Sequence, residues 1–309
     1  MQTERSLDAG NHATCVNGIF FAVTGETGIY NIIMSPVSSV SAFTYKDCNM
    51  TSSDCRFTGS GTFAVFTSRS PEKSGINEDS AAVIRLDDET SVLMVADGVG
   101  GLPSGGQASS LVIDLLLDAA RSALSDHSDL RDVILSAIEE ANQRIINYAN
   151  GSATTLAVVE LHGNAIRTYH VGDSMIMVVG QRGKLKMETI SHSPVGYAVG
   201  AGMLSAEEAI VHDDLHIVSN VVGSQEMHIS MGIPYRLAGR DTLLIATDGL
   251  FDNIPRDEII DMIRAGPLQK CADRLAAYAR KRMEAGIAPF KPDDLTFILY
   301  RPSIPAAKK

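Results

Sequence analysis

The stretch Val92-Leu93-Met94-Val95-Ala96-Asp97-Gly98-Val99-Gly100-Gly101 is an apolar run that ends abruptly on a carboxylate, after which glycine recurs. A carboxylate at the edge of a core is costly to desolvate unless it has a partner. The pattern recurs at Leu243-Leu244-Ile245-Ala246-Thr247-Asp248-Gly249, where a second apolar run reaches Asp-Gly. Because a cation is the usual partner of converging carboxylates, this doubling predicts a metal site at the ends of two strands.

The composition indicates a globular protein and argues against two classes of binding partner. The chain has 309 residues, 45% of them apolar and 20% charged, which is enough for one large domain or two small ones. Its formal net charge of −11, without a strong basic patch, argues against nucleic acid or an anionic membrane as a partner. The N-terminus lacks the pattern of a signal peptide, and we expect a cytoplasmic protein that acts as a monomer.

The hydrophobic periodicity predicts short strands and paired helices. Hairpin turns join most consecutive strands, which favours antiparallel sheets covered by helices over a doubly wound parallel sheet. The predicted strands are 62–67, 81–86, 91–96, 154–161, 165–171, 174–179, 184–190, 241–247 and 295–300. The predicted helices are 107–124, 130–148, 256–263 and 268–285.

The domain organisation follows from the same pattern. Residues 1–60 are poor in charge and form an N-terminal extension, which we expect to be short strands packed on the domain. Residues 61–303 form the main domain and 304–309 a tail. Residues 191–240 are a long irregular insertion, which is typical of a functional flap, and Ser205-Ala206-Glu207-Glu208 within it predicts a helix capping box.

Acidic residues stand at predicted strand ends and tight turns throughout the main domain. Carboxylates without histidine or cysteine nearby suit Mg²⁺ or Mn²⁺ rather than Zn²⁺. Two such ions about 3.5–4 Å apart acidify a water molecule and polarise a phosphoryl oxygen. The four cysteines show no C-x-x-C spacing, so no zinc site is indicated. The candidate ligands are Glu78, Asp79, Asp97, Asp173, Asp248, Asp252 and Asp293.

Six short motifs in order resemble those of the metal-dependent protein serine/threonine phosphatases, the type 2C family, in its bacterial form. Each motif alone is weak, but six in the right order with plausible spacing are specific. The resemblance covers about residues 62–301, so the main domain would be a phosphatase domain. The motifs are Asn77-Glu78-Asp79, Asp97-Gly98-x-Gly100-Gly101, Ser152-Ala153-Thr154-Thr155, Gly172-Asp173-Ser174, Asp248-Gly249-Leu250-Phe251-Asp252 and Asp293-Asp294-x-Thr296.

The resemblance implies an α+β fold, a four-layer α-β-β-α sandwich of two mostly antiparallel sheets flanked by helix pairs. It also implies two Mn²⁺ or Mg²⁺ ions and a third at a weaker site. A water bridging the two ions would attack phosphoserine or phosphothreonine directly, with Asp97 and Asp79 as catalytic residues. By motif, Asp97 would bridge both ions, and Asp248 and Asp293 would complete the first site. Glu78 and the Gly98 carbonyl would bind the second ion, and Asp173 and Asp252 the third. Asp79 would orient a water molecule.

Three positions depart from the family pattern. Ser74 stands where the family usually has a phosphate-binding arginine, so we expect Lys73 or Arg69 to bind the substrate phosphate. Val99 stands where many members carry histidine, a candidate general acid, and Met175 replaces a basic residue. The implied partners are phosphorylated proteins, with a cognate Ser/Thr kinase as a further candidate. The missing arginine also keeps open a weak pseudophosphatase that binds partners without hydrolysis.

Structural alternatives stand beside these roles. Asp173 fits a hairpin turn as well as a third metal, and Asp252 fits an N-cap of the helix at residue 256. We expect Asp294 to be a solvated neighbour of the site, and Thr154 and Thr155 to pack in the core.

Overall fold

The computed structural model describes residues 5–7, 11–16, 19–22, 40–99, 104–126, 128–148, 151–286 and 290–303. The chain divides into two compact units, Met1–Ser39 and Val40–Lys309. Gly100, Gly101 and the tail at 304–309 lie outside the described residues.

The elements of the described chain follow in sequence order. The strands are β1 (Arg5–Leu7), β2 (Asn11–Val16), β3 (Ile19–Ala22), β4 (Ser41–Lys46), β5 (Asp54–Phe57), β6 (Gly61–Ser68), β7 (Ser80–Arg85), β8 (Thr90–Ala96), β9 (Gly98–Val99), β10 (Ala153–Thr154), β11 (Leu156–His162), β12 (Ala165–Val171), β13 (Met175–Val179), β14 (Leu185–Glu188), β15 (Ser230–Met231), β16 (Tyr235–Arg236), β17 (Thr242–Ala246) and β18 (Leu295–Pro302). The helices are α1 (Gly105–Asp126), α2 (Leu130–Tyr148), α3 (Pro194–Gly200), α4 (Ala206–Ala209), α5 (Asp248–Phe251), α6 (Arg256–Ile263) and α7 (Leu268–Ala285), with a 3-10 turn at Asp213–His216.

The first unit contains an antiparallel sheet in the order β1-β2-β3. The expected domain boundary at residues 60 and 61 is not where the units divide, because the second unit already begins at Val40. Its first two strands are integral to its sheets: β4 pairs with β7, and β5 pairs with β6. The charge-poor composition of residues 1–60 concealed this difference between the two parts.

Two larger sheets organise the second unit. Sheet one has the order β15-β12-β11-β8-β7-β4, with β16 also paired to β12. Sheet two has the order β14-β13-β17-β18-β6-β5. Their strand pairs are antiparallel, as the hairpin turns predicted.

Three apolar cores separate four layers. One core lies between sheet one and the pair α1 and α2, the second between the two sheets, and the third between sheet two and α6 and α7. On β8, Leu93 and Val95 enter the core between the sheets while Met94 and Ala96 face the helices. Successive side chains of a strand point to opposite faces, so a strand buried on both faces is apolar throughout. The predicted α+β sandwich is confirmed.

The flap, residues 191–240, is part of the second unit. It contains α3, α4 and the 3-10 turn, and its strands β15 and β16 extend sheet one beside β12. The capping box predicted at Ser205 is confirmed, since its side chain accepts from the Glu208 N–H and Glu208 accepts from the Ser205 N–H. No helix of the described residues has the length and apolar character needed to cross a membrane.

Candidate metal centre

The two strands that end in acidic residues, β8 and β17, lie in the two larger sheets of the second unit. Ser80 of β7 pairs with Ala96 of β8, which places Glu78 and Asp79 beside Asp97, as the hairpin pattern predicted. In sheet two, Ala246 of β17 pairs with Phe297 of β18. The residues after β17 therefore meet those before β18. We name as the carboxylate cluster Asp79, Asp97, Asp173, Asp248, Asp252 and Asp293.

Buried threonines hold the backbone of Asp97. Its N–H donates to Thr155 Oγ1 at 3.1 Å, and its carbonyl accepts from the Thr155 N–H at 2.9 Å and from Thr154 Oγ1 at 2.8 Å. Thr155 Oγ1 also bonds Ser174 Oγ at 2.7 Å. The threonines are buried, as expected, but their contacts show that they position Asp97 in addition to packing in the core.

Glycine brings the next oxygens together. A Cβ atom on Gly98 would lie 2.3 Å from the backbone of Gly105 at the start of α1. A Cβ on Gly105 would lie 2.6 Å from the Gly98 carbonyl oxygen and 2.9 Å from Glu78 Oε1. Only glycine permits this approach, and both oxygens therefore face the same backbone position. The carbonyl of Gly98 and the carboxylate of Glu78 are thus neighbours.

Asp79 is buried deep in the carboxylate cluster. Its N–H donates to Asn77 Oδ1 at 3.0 Å, and Thr247 Oγ1 donates to its Oδ2 at 3.0 Å. Its Oδ1 is buried without a hydrogen-bond partner. Burial, followed by repulsion from Asp294 and other carboxylates, raises the pKa of Asp79 well above its usual range.

Lys291 is the main counter-charge on the sheet-two side. Its ammonium group hydrogen-bonds Asp248 and lies 3.1 Å from Asp252 Oδ2 and 3.3 Å from Asp293 Oδ2. Its backbone is fixed by Asn253, which bonds both the N–H and the carbonyl at 2.8 Å. Burial acts to lower the pKa of Lys291, but the three aspartates outweigh it and raise that pKa.

Asp97 and the other members of the carboxylate cluster repel one another. Burial, then Asp79, Asp248, Asp293 and Asp173, raise the pKa of Asp97 well above its usual range. Like charges that share a buried site resist ionising together. A bound cation would relieve this repulsion.

The same causes act on the outer members of the carboxylate cluster. Burial and Asp248 raise the pKa of Asp173 to about 7 and that of Asp293 to about 6, although Lys291 acts in the opposite direction. Burial and Asp248 also raise the pKa of Asp252 well above its usual range. The N-cap alternative for Asp252 is wrong, because Pro255 occupies that position of α6 and Asp252 contacts Lys291.

Asp294 is buried, so the expectation of a solvated side chain is wrong. It accepts from the Ser70 N–H at 2.8 Å, the Glu78 N–H at 2.7 Å and the Lys73 ammonium at 2.8 Å. Lys73 also contacts the Glu78 carboxylate. Arg69, the other predicted phosphate-binding residue, donates from Nη1 to the Gly75 carbonyl at 2.7 Å.

Asp294, Lys291 and Thr247 are the site residues that sequence reasoning missed. The only signal was their position within two residues of Asp293 or Asp248. Asp294, before β18, accepts a hydrogen bond from Glu78, before β7. Lys291, also before β18, forms an ion pair with Asp248 of α5. Such contacts between distant segments have no sequence pattern.

The residues present fit divalent cations by their chemistry. Asp79 Oδ1 and Asp248 Oδ1 are buried without hydrogen-bond partners, and a carboxylate oxygen in that state is a ready ligand for a hard cation. Within the described part of the chain, no three carboxylates stand in a ligating arrangement, and lysine ammonium groups lie among them. A cation would have to displace these contacts.

A family model described as Protein phosphatase 2C matches residues 69–285. The chain belongs to the protein phosphatase 2C family. This membership confirms the predicted resemblance and the enzyme class, a protein serine/threonine phosphatase.

Curated relatives agree with this membership. The serine/threonine phosphatase stp of Listeria welshimeri is 30% identical over 199 residues, which are 61% of this chain and 78% of that protein. The protein phosphatase PhpP of Streptococcus pneumoniae is 29% identical over 198 residues, 61% of this chain and 79% of PhpP.

Solved phosphatase 2C structures share the fold. The Streptococcus agalactiae serine/threonine phosphatase has a TM-score of 0.65 at 27% identity and covers 77% of this chain and 98% of its own. The catalytic domain of the phosphatase PstP, solved with 2 manganese ions, has a TM-score of 0.63 at 24% identity and covers 78% of this chain and 98% of its own.

Proposed function

We propose that this phosphatase hydrolyses phosphoserine and phosphothreonine in protein substrates at the carboxylate cluster, with two Mn²⁺ or Mg²⁺ ions as cofactors. The observation that carries the proposal is the convergence of buried and half-buried, mutually repelling aspartates from segments next to both sheets. When bound, the ions would lower the pKa of a water molecule, which makes it a nucleophile for direct attack on phosphorus, and would polarise a phosphoryl oxygen.

The ligand roles are those that the family resemblance implies, and the positions of the residues support them. Asp97, directly after β8, would hold both ions. Asp248, shortly after β17, and Asp293, shortly before β18, are proposed for the first ion. Glu78 and the Gly98 carbonyl, which face the same backbone position, are proposed for the second.

Asp79 is proposed to orient the attacking water from behind the ligands. Its buried Oδ1 is available as a hydrogen-bond acceptor, and Thr247 fixes its other oxygen. Val99 offers no proton, so the proton of the leaving hydroxyl is proposed to come from water or from another group of the site.

Arg69 is the better candidate of the two for binding the substrate phosphate. Lys73 is already shared between Glu78 and Asp294, whereas Arg69 is partly exposed and uses one guanidinium nitrogen on Gly75. A guanidinium group can also bind two phosphate oxygens at once, which an ammonium group cannot do.

A third, weaker ion is proposed at Asp173 and Asp252. Both carboxylates lie close to Asp248, which raises their pKa values. Lys291 contacts Asp252 and would compete with this ion. Lys291 contacts Asp248 and Asp293 of the first site as well, so the weaker binding proposed for the third ion rests on the family resemblance.

The lysine contacts also favour a second candidate function, that of a pseudophosphatase. Lys73 and Lys291 lie among the proposed ligands, as they would in a pseudophosphatase that binds a phosphoprotein without metal. Calorimetric titration with Mn²⁺ separates the two functions. Two bound ions support hydrolysis, and no binding supports the pseudophosphatase.

The activity is tested with p-nitrophenyl phosphate and a phosphothreonine peptide in Mn²⁺, Mg²⁺ and chelator. The wild type should hydrolyse both substrates only with a divalent ion, and Asp248→Asn should lose about a hundredfold or more in kcat/KM. Asp261→Asn, an exposed aspartate of α6, is the matched control and should behave as the wild type. Undiminished activity in Asp248→Asn, or in chelator, would exclude the proposed mechanism.

A further inference from the structure

A cavity of about 310 Å³ opens directly beside the carboxylate cluster. Asp173, Asp248 and Asp252 form one end of its wall. The flap also lines it, with residues of α3 and α4 among the lining. The cavity therefore shares residues with the proposed site of phosphate hydrolysis.

The wall away from the carboxylates is apolar. Val195 and Val199 of α3 and Ile210 after α4 all line it, and Phe251 and Ile254 add apolar side chains near the aspartates. Sites that bind ligands by burial combine such a wall with a few charged groups at one end. This cavity has both.

The side chains nearest the carboxylates do not offer a free charge. Met175, two residues after Asp173, adds a flexible thioether to the wall. Arg256 also lines the cavity, but its guanidinium lies 2.9 Å from Glu188 Oε2, so the two charges compensate each other. The aspartates at one end are the proposed metal ligands, and a charged side chain of the substrate that entered the apolar part of the cavity would lose its hydration without an ion-pair partner there.

We propose that this cavity binds an apolar side chain of the phosphoprotein substrate, within three residues of the phosphorylated residue. The inference rests on the proposed function and adds the substrate class. An apolar cavity of about 150 Å³ is known to hold benzene, so this one accommodates leucine, methionine or phenylalanine. An extended peptide advances about 3.3 Å per residue, which keeps a flanking side chain within reach of the cavity mouth.

The test uses phosphothreonine peptides of one parent sequence. Leucine, phenylalanine, alanine, lysine or aspartate is placed in turn at each of three positions on either side of the phosphothreonine. At one or two positions, leucine or phenylalanine should raise kcat/KM about tenfold over alanine because their burial is favourable. A preference for lysine or aspartate, or no preference at all, would overturn the proposal.

Variants of the flap locate the effect. Ala209→Phe of α4 adds a ring inside the cavity and should abolish the preference through a higher KM. Glu207→Phe adds the same ring on the exposed side of that helix and should keep it. Met175→Lys is a second variant and should also weaken the preference for leucine. An unchanged preference in both Ala209→Phe and Met175→Lys would overturn the proposal.

N-acetyl phosphothreonine amide, which has no flanking side chain, serves as the reference substrate. Its hydrolysis should be the same in the wild type, Ala209→Phe and Glu207→Phe. If the wild type hydrolyses the reference but shows no apolar preference, the cavity proposal alone fails. If it hydrolyses neither reference nor peptides with Mn²⁺, the proposed function fails and the cavity proposal with it.

Discussion

The two halves of the carboxylate cluster are held in different ways. On the sheet-one side, hydrogen bonds fix Asp97 through Thr154 and Thr155. On the sheet-two side, the ammonium group of Lys291 holds Asp248 and its neighbours by charge. A hydrogen bond to the backbone fixes the position of a residue whatever the charge of its side chain. An ion pair fixes the position of the side chain and also favours its charged form. The sheet-one half is therefore rigid but uncompensated, and the sheet-two half is compensated but dependent on one cation.

The largest effect should come from Asp97→Asn. We expect a loss of about a thousandfold or more in kcat/KM, because a ligand of both proposed ions is removed. Without metal, the same variant should be more stable by about 1 kcal/mol, because burial and neighbouring aspartates oppose the charge of Asp97. Phosphatase assays and urea unfolding in chelator measure the two effects.

Asp118→Asn is the control for this prediction, since Asp118 is an exposed aspartate of α1. It should leave both measurements unchanged. An Asp97→Asn protein that is less stable than the wild type in chelator would show that the sheet-one half is compensated after all.

Lys291→Met tests the other half. Removing the ammonium leaves several buried carboxylates without a partner, and we expect the free energy of unfolding in chelator to fall by roughly 2 kcal/mol. Saturating Mn²⁺ should restore much of this loss because the ion supplies the missing charge. Lys270→Met, an exposed lysine of α7, should change stability by less than about 0.5 kcal/mol. Equal stability of wild type and Lys291→Met in chelator would contradict the comparison.

A pH dependence is expected at the turn that carries Asp173. The buried His192 accepts from the Gly172 N–H at 3.1 Å, and burial, then His170 and His228, lower the pKa of His192 to about 4. The unfolded chain binds its proton near pH 6.5. The contribution of His192 is thus present above pH 6.5 and is lost as the pH falls toward 4, by about 2 kcal/mol.

His192→Gln isolates this contribution. The difference in unfolding free energy between the wild type and the variant, measured by urea unfolding from pH 7 to 4.5, should shrink as the pH falls. A difference that stays constant with pH would mean that His192 does not have a lowered pKa.

The smallest effect is expected from Thr155→Val. The variant loses the side-chain oxygen that accepts from the Asp97 N–H and that hydrogen-bonds Ser174 Oγ. Such losses cost about 1 kcal/mol, which corresponds to about fivefold in kcat/KM. Thr44→Val on the exposed face of β4 is the control. A Thr155→Val enzyme as active as the wild type would show that the two hydrogen bonds to the Asp97 carbonyl, from Thr154 Oγ1 and from the N–H of residue 155, suffice.

Local pattern was enough to predict most elements of the second unit. The bounds of α2, α6 and α7 agree with the predicted helices, because apolar residues recur there at the helical period. The continuous apolar runs of β8 and β17 followed from burial on both faces. The order of acidic motifs predicted the family, since each motif is encoded within a few residues.

The sequence by itself determined the layered α+β fold, the family and the acidic residues at the ends of β8 and β17. Only the tertiary structure decided that Lys291 lies among these carboxylates, that Asp294 is buried, and that Thr154 and Thr155 hold Asp97. It also placed the flap over the apolar cavity. The physical reason is that periodicity reports which face of an element is buried, whereas ion pairs, buried charges and cavities depend on segments that meet only after folding.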